Sequence, residues 1–141
     1  YNCTIIDLHD RSVIANITDR NITSDLSIRT LRKALESQPT IKEGLILHSD
    51  QGSQYTSKAF TEFCESVNVT QSMSKAGYPY DNAPMERYFN TLKNECTNLY
   101  EFTTEETLYQ KVEEFAYVDY NHVRPHSYNG YRTPYEARTA A

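Results

Sequence analysis

A short apolar strand that ends on a carboxylate constrains the fold of this chain more than any other stretch. Residues 45–47 (LIL) form a continuous apolar run after Gly44, and Asp50 follows three residues later. Such a run is typical of a strand that helices cover on both faces. In open α/β sheets, ligands gather at the carboxyl ends of strands. The stretch therefore predicts an α/β sheet with a binding site beside Asp50.

The apolar patterns on either side predict a hairpin followed by alternating helices and strands. Residues 1–8 and 12–17 are β-prone and flank a turn at residues 9–11. The first of these strands starts without a lead-in, which we interpret as a hint of truncation. The later predicted elements are a helix capped by Thr23 or Ser24 and ended by Pro39, the strand 45–47, a turn-rich loop at 51–55, a helix that starts near Thr56 or Ser57, the strand 69–73 and a mobile loop at 74–81. This order predicts a mixed sheet flanked by helices.

Capping signals predict two more helices and an ordered tail. Asp81 or Asn82 is expected to cap the third helix, with Pro84 in its first turn. Its expected buried face consists of Met85, Tyr88, Phe89, Leu92, Cys96 and Leu99. Thr103 and Glu106 form a capping box that predicts a fourth helix, which runs to about His122. The tyrosine-rich tail that follows is expected to be ordered, and its tyrosines to pack rather than stack on bases.

Composition limits the classes of protein that this chain can belong to. Its 141 residues, 38% apolar and 23% charged, fit one globular domain. No apolar run is long enough to span a membrane, and no signal peptide is visible. Three widely spaced cysteines predict buried free thiols in a reducing cytoplasm. The net charge of -5 counts against tight binding of nucleic acid by this chain alone, although acids at a metal site would account for part of it.

Two acidic residues are candidate ligands for one divalent-metal site. Asp50 lies at a strand end, and Gly52 allows a sharp turn beside it. Glu86 lies in the first turn of its predicted helix, where the helix dipole favours the ionised carboxylate. Mg²⁺ prefers oxygen ligands and usually takes one or two protein carboxylates. The alternative interpretations are a surface aspartate in a turn and a glutamate that only compensates the dipole.

Basic residues near these acids are candidate contacts for DNA phosphates. Lys93 lies two helical turns beyond Glu86, Lys75 lies in the predicted loop, and Arg87 follows Glu86 directly. The alternative for each is a solvated side chain. His48 is expected on the same side of its strand as Asp50. A structural histidine and a role near the metal both remain open.

Several segments resemble the bacterial insertion-sequence transposases of the OrfB type, which are DDE transposases with a catalytic core similar to that of retroviral integrases. The segments are 48–55 (HSDQGSQY), 80–89 (YDNAPMERYF), 91–95 (TLKNE), 120–126 (YNHVRPH), 130–134 (GYRTP) and 5–8 (IIDL) with Arg11. Thirty-five residues separate Asp50 from Glu86, the interval that is typical of this family's acidic triad. The resemblance covers nearly the whole chain.

The resemblance implies a fold, an activity and a set of partners. The expected fold is the ribonuclease H-like α/β fold without its first strand, over residues 1–141, with 120–141 as the family's C-terminal signature tail. The expected activity is cutting DNA and joining its 3′ ends to target DNA with Mg²⁺ or Mn²⁺, two ions in the complete enzyme. Asp50 and Glu86 are the expected catalytic ligands, and Lys75, Arg87 and Lys93 the expected DNA contacts, in a homo-oligomer.

One departure from the family pattern affects the expected activity. The family's first catalytic aspartate precedes the hairpin, and its motif is absent here. Asp7 matches the later hairpin aspartate; its expected role is structural, and the less favoured alternative is that it binds metal in place of the missing aspartate. We therefore expect the isolated chain to be inactive. The alternatives are a non-catalytic remnant that binds DNA or self-associates, and a nuclease of the same fold without joining activity.

Overall fold

A computed structural model describes residues 1–38, 44–75 and 82–140. Its elements in chain order are β1 (Asn2–Ile6), β2 (Val13–Thr18), α1 (Ser24–Ser37), β3 (Ile46–Ser49), α2 (Ser53–Thr56), α3 (Lys58–Ser66), β4 (Thr70–Met73), α4 (Ala83–Leu92), a π-helical segment (Lys93–Thr97), α5 (Glu105–Glu114), a second π-helical segment (Phe115–Val123), a 3-10 turn (Ser127–Asn129) and α6 (Pro134–Thr139). β1 pairs antiparallel with β2, and β3 pairs parallel with β4. The predicted α/β fold with mixed strand pairing is confirmed, and the described strands form two separate two-stranded sheets.

Two apolar cores hold these elements together. One core surrounds Tyr88 of α4 and includes Phe115 and Tyr120 of the second π-helical segment. The other joins Leu31 of α1 to Phe60 of α3. Burying large apolar side chains of this kind contributes roughly 1.5–3 kcal/mol each, so the cores fix how the helices lie on the strands.

Local signals placed several helix starts correctly. Thr23 caps α1 and accepts a hydrogen bond from the backbone N–H of Leu26, and Ser57 caps α3 in the same way through Phe60. Asn82 precedes α4 without a side-chain capping bond. The alternative cap, Asp81, and most of the predicted loop 74–81 lie outside the described residues.

Three local predictions were wrong. The stretch 51–55, expected to be a loop, contains the single helical turn α2, because the backbone C=O of Gly52 accepts hydrogen bonds from the N–H groups of Tyr55 and Thr56. Leu99, expected in the buried face of the third helix, is 64% exposed, because the π-helical segment shifts the helical phase and ends at Thr97.

The third error is the capping box at Thr103. Thr104 caps α5 instead, and its side chain accepts from the N–H of Thr107. A capping box occurs at the start of α6, between Thr133 and Glu136. The expectation that helices cover the central strand on both faces holds only partly, since Ile46 at the start of β3 is 65% exposed.

The remaining composition-based expectations concern thiols and membranes. Cys3, Cys64 and Cys96 are buried free thiols, as predicted. Burial raises the pKa of the Cys64 and Cys96 thiols, which keeps them in the unreactive protonated form. None of the helices in the described ranges combines the length and the apolarity that crossing a bilayer requires.

Candidate active site

A cavity of about 850 Å³ lies between the two sheets and holds both candidate metal ligands in its lining. Asp50 lies just past the end of β3, and Glu86 lies in the first turn of α4. Lys75, at the end of the described stretch after β4, also lines the cavity. Residues that are 36 positions apart in the sequence therefore share one cavity.

The other two predicted site residues lie elsewhere. Arg87 and Lys93 are exposed and do not line the cavity. Arg87 follows Glu86 on α4, and Lys93 begins the first π-helical segment. They are thus available to a ligand that extends beyond the cavity.

The loop around Asp50 orients its carboxylate. The backbone N–H of Gly52 donates to Oδ1 of Asp50 at 2.8 Å. A Cβ at position 52 would lie 2.9 Å from this Oδ1 and 2.7 Å from Oε1 of Gln54, so the close approach depends on glycine. Of the two carboxylate oxygens of Asp50, Oδ1 is the one that accepts a hydrogen bond from a described residue. Oδ2 is therefore open to solvent or a ligand.

His48 supports the strand end on which Asp50 lies. Its two ring nitrogens contact the hydroxyls of Ser72 and Ser74 at 2.9 Å and 3.0 Å. The backbone N–H of Ser74 donates to Ser49 at 2.9 Å, and Gln51 donates to the C=O of Ser74 at 3.0 Å. These contacts hold the ends of β3 and β4 together, which agrees with the structural role of His48.

Glu86 is held differently, by its position on a helix. Pro84 lies in the first turn of α4, where its missing N–H costs no intrahelical bond. Glu86 is exposed and forms no ion pair with any residue in the described part of the chain. Its carboxylate is therefore available for a cation.

Asp7 is engaged in structural contacts. Its Oδ1 accepts from the backbone N–H of His9 at 2.8 Å, and its Oδ2 pairs with Arg138 at 3.0 Å. Arg138 also contacts the buried carboxylate of Asp10 at 3.1 Å. Arg138 could not be identified from the sequence, because no local pattern signals a partner 131 residues away.

Tyr55 is a second residue that the sequence analysis did not single out. Its hydroxyl lies 3.6 Å from Sγ of Cys3. The contact joins α2, which carries Tyr55, to β1, which carries Cys3. Burial raises the pKa of Tyr55, and the nearby Cys3 raises it further, so this phenol stays protonated. Its place in the HSDQGSQY segment was the only available signal.

The donor set fits a hard divalent cation. Two carboxylates from two elements, with space for water and phosphate, match what Mg²⁺ usually accepts from a protein. Among the described residues there is no group of three or more His, Cys, Asp or Glu side chains that could hold a metal. Asp7 also lines the cavity but is paired with Arg138, so Asp50 and Glu86 are the lining carboxylates without an ion pair among the described residues.

The integrase core domain model matches residues 1–79, and a second model with the same description matches residues 67–134. The chain belongs to the integrase core domain family. The resemblance to insertion-sequence transposases is confirmed by named relatives of this integrase core domain.

Three relatives show how much of the chain they share. The uncharacterized 31 kDa protein of insertion element IS600 from Shigella sonnei is 35% identical over 95% of this chain and 49% of its own length. Transposase InsF of IS3A from Escherichia coli K12 is 34% identical over 95% of the chain and 46% of its own length. The IS904 transposase from Lactococcus lactis is 43% identical over 64% of the chain and 36% of its own length. The chain spans about half the length of the first two relatives.

Solved structures confirm the ribonuclease H-like fold. The catalytic core domain of BIV integrase aligns with a TM-score of 0.62 at 17% identity, over 96% of this chain and 82% of that one. The HTLV-2 integrase catalytic core domain in complex with magnesium aligns with a TM-score of 0.61 at 18% identity, over 94% and 80%. At this level of identity the likeness establishes the fold.

Proposed function

We propose that this integrase core domain is the catalytic core of an insertion-sequence transposase, which cuts DNA and joins 3′ ends to target DNA. The observation that carries the proposal is the shared cavity of Asp50 and Glu86. Each carboxylate comes from a different element, and neither is taken up by an ion pair among the described residues. The transposases among the relatives support the choice of DNA as the substrate.

Asp50 and Glu86 would hold Mg²⁺ or Mn²⁺, two ions in the complete enzyme. When bound, the metal supplies activation of a nucleophile and stabilisation of the leaving oxygen of a phosphodiester. Gly52 fixes the rotamer of Asp50 through its backbone N–H, and His48 holds the strand end beneath it. Preorganised ligands of this kind lower the barrier because they need no rearrangement during the reaction.

Lys75, Arg87 and Lys93 are the proposed contacts for DNA phosphates. Lys75 lines the cavity, while the other two lie on α4 and the segment that follows it. Because the chain carries a net charge of -5, binding depends on such local cations and on neutralisation of the acids by metal. Assembly as a homo-oligomer, as proposed here, would bring several such surfaces to one DNA.

Mn²⁺ titration of the chain tests the metal site directly. Asp50→Asn and Glu86→Gln remove one negative charge each and keep the shape of the side chain. Both should weaken Mn²⁺ binding measured by calorimetry, whereas Glu62→Gln, an exposed change on α3, should not. Equal binding by all four proteins would overturn the proposed site.

A non-catalytic protein that binds DNA or self-associates is the second candidate. It is favoured by the lack of a three-residue metal cluster among the described residues. A nicking assay separates the candidates, with a version of the chain extended upstream by about 15 residues, enough for one strand and a turn. Nicking that Asp50→Asn abolishes supports the transposase, and an inert extended protein that still binds DNA supports the alternative.

A further inference from the structure

Two tyrosines of the C-terminal tail lie on the surface of the protein. Tyr131 is 76% exposed and Tyr128 is 59% exposed, whereas Tyr120, earlier in the tail, is buried. The expectation that the tail tyrosines pack therefore holds for Tyr120 and is wrong for the other two. An aromatic ring that stays in water gains little from the hydrophobic effect, so folding alone does not account for these two side chains.

The backbone at Tyr131 makes a tyrosine unfavourable at this position. Its φ is 66°, and the preceding Gly130 has a φ of 64°. Bulky residues rarely adopt this left-handed conformation, which glycine and asparagine adopt readily, as Asn68 does at a φ of 60°. The turn is held by the backbone N–H of Tyr131, which donates to the C=O of His126 at 2.8 Å. Such strain is typically kept at sites that bind a ligand, and a buried contact does not explain it here.

A cation lies over the ring of the other exposed tyrosine. The guanidinium carbon of Arg11 is 4.1 Å from the centre of the Tyr128 ring. Arg11 also has a left-handed backbone, with a φ of 65°. It forms no ion pair with any residue in the ranges that the structure describes. A guanidinium group stacks on flat rings and pairs with phosphates, so this arrangement favours a ligand that has both.

The charge around these tyrosines is positive, although the net charge of the chain is -5. Arg132 is exposed, donates to a backbone C=O of the same turn at 3.2 Å, and has no acidic partner among the described residues. Glu136 is the only acidic residue between positions 122 and 138, and it forms the capping box of α6 with Thr133. The surface is therefore complementary to an anionic ligand.

The hairpin turn between β1 and β2 connects this surface to the cavity. Asp7 and Leu8 line the cavity, and Arg11 follows three residues after Leu8. Nδ2 of Asn129 donates to the C=O of Asp10 at 2.8 Å, which fixes the tail turn to the hairpin turn. A ligand bound at the tail tyrosines would thus lie near the rim of the candidate active site.

We propose that Tyr128, Tyr131, Arg11 and Arg132 form a stacking platform that binds the unpaired bases of single-stranded DNA. Aromatic rings stack on bases of any sequence, and the two guanidinium groups contact the phosphates between them. In a duplex, the faces of the bases are covered by their neighbours, so the platform selects single strands. The choice of DNA rests on the proposed function, whereas the preference for unpaired bases goes beyond the phosphate contacts proposed above.

Fluorescence anisotropy tests the stacking platform with a labelled oligothymidylate of about 12 nucleotides, within the usual site size of such proteins. EDTA is present throughout, so that failure of the metal site and failure of the platform are separate results. Tyr131→Asn should weaken binding of the single strand about tenfold and leave binding of a duplex of the same length unchanged. Urea unfolding should show that Tyr131→Asn is at least as stable as the unchanged chain, because asparagine fits the left-handed backbone.

Tyr100→Asn is the matched control. Tyr100 is also exposed, and Nζ of Lys111 lies 4.7 Å from the centre of its ring. The acidic Glu101 follows it directly, so this substitution should leave single-strand binding unchanged. The dependence on salt separates stacking from charge. Arg132→Gln should reduce the slope of log affinity against log salt for the single strand by about 0.7, and Tyr131→Asn should not change it.

Three results would overturn the proposal. If Tyr131→Asn weakens binding of the single strand and of the duplex equally, the tail does not recognise unpaired bases. If it leaves single-strand binding unchanged, no base stacks on Tyr131, and loss of self-association by the same variant in sedimentation would assign the surface to a second copy of the chain. If Tyr131→Asn is less stable than the unchanged chain, the tyrosine serves the fold.

Discussion

Asn121 bonds to both backbone groups of Val13, which lies 108 residues earlier in the chain. Its Oδ1 accepts from the Val13 N–H at 2.7 Å, and its Nδ2 donates to the Val13 C=O at 2.9 Å. An amide side chain thereby replaces the neighbouring strand that would otherwise bond this edge. The contact joins the second π-helical segment to the hairpin. It therefore fixes where the helices of the core around Tyr88 lie relative to β2.

Replacing Asn121 should destabilise the fold. Asn121→Ala leaves the N–H and C=O of the buried Val13 without partners, and each unsatisfied group costs about 1–3 kcal/mol. Urea unfolding should show a loss of stability of about 2–6 kcal/mol for the two groups together. Asn94→Ala, at an exposed position of the first π-helical segment, should change stability by no more than about 0.5 kcal/mol. Equal effects of the two variants would mean that the contact does not stabilise the fold.

Gly52→Ala should weaken metal binding without unfolding the chain. The backbone at position 52 has φ -58° and ψ 149°, which alanine adopts readily, so the effect is steric. The added Cβ would crowd both Oδ1 of Asp50 and Oε1 of Gln54. Displacing the proposed metal ligand Asp50 should raise the Mn²⁺ dissociation constant by about 10-fold in a calorimetric titration.

The double variant Gly52→Ala/Gln54→Ala distinguishes the two crowded groups. It removes the clash with Gln54 and keeps the one with Asp50, so Mn²⁺ binding should remain weak. Full recovery of binding would show that Gln54, and not the carboxylate, had been displaced.

His126 should make stability depend on pH. Burial and, to a smaller extent, Arg124 lower the pKa of His126, while a hydrogen bond with the backbone of Tyr120 acts in the opposite direction. In the unfolded chain, His126 therefore takes up a proton at a higher pH, about 6.5, than it does in the folded chain. Stability from neutral His126 is fully present above that pH and is lost as the pH falls through the lower pKa of the folded state.

Urea unfolding at pH 7.5 and 5.5 measures this effect. The decrease in stability between these values should be smaller for His126→Phe than for the unchanged chain, because phenylalanine takes up no proton. His9→Gln, at an exposed position, should retain the full decrease. An unaltered pH dependence in His126→Phe would exclude His126 as its source.

Lys93 and Arg87 should contribute to DNA binding through phosphates alone. Each phosphate contact releases counterions and adds about 0.9 to the slope of log affinity against log salt on duplex DNA. Lys93→Ala and Arg87→Ala should each reduce that slope by about 1 in a filter-binding or anisotropy titration. Lys58→Ala, on α3 beside Glu62, should leave the slope unchanged. If none of these three substitutions changes the slope, the DNA binds to another surface of the protein.

The elements that sequence analysis identified correctly are those with strong local signals. Thr23 and Ser57 cap helices because a hydroxyl at that position satisfies a free N–H group, whatever surrounds it. The errors arose where two local signals compete or where packing changes the helix itself. Thr103 and Thr104 are equally good caps by type, and the π-helical segment that exposes Leu99 has no signature in the apolar pattern.

Apart from the short helices α2 and α6, the sequence by itself determined the type and order of the elements, and it named Asp50 and Glu86 through their spacing and family motifs. Only the tertiary structure decided that these carboxylates share one cavity and that Arg138 holds Asp7. The physical reason is that periodicity records which face of a segment is buried. It does not record the distant segment against which that face packs, because many partners would bury it equally well.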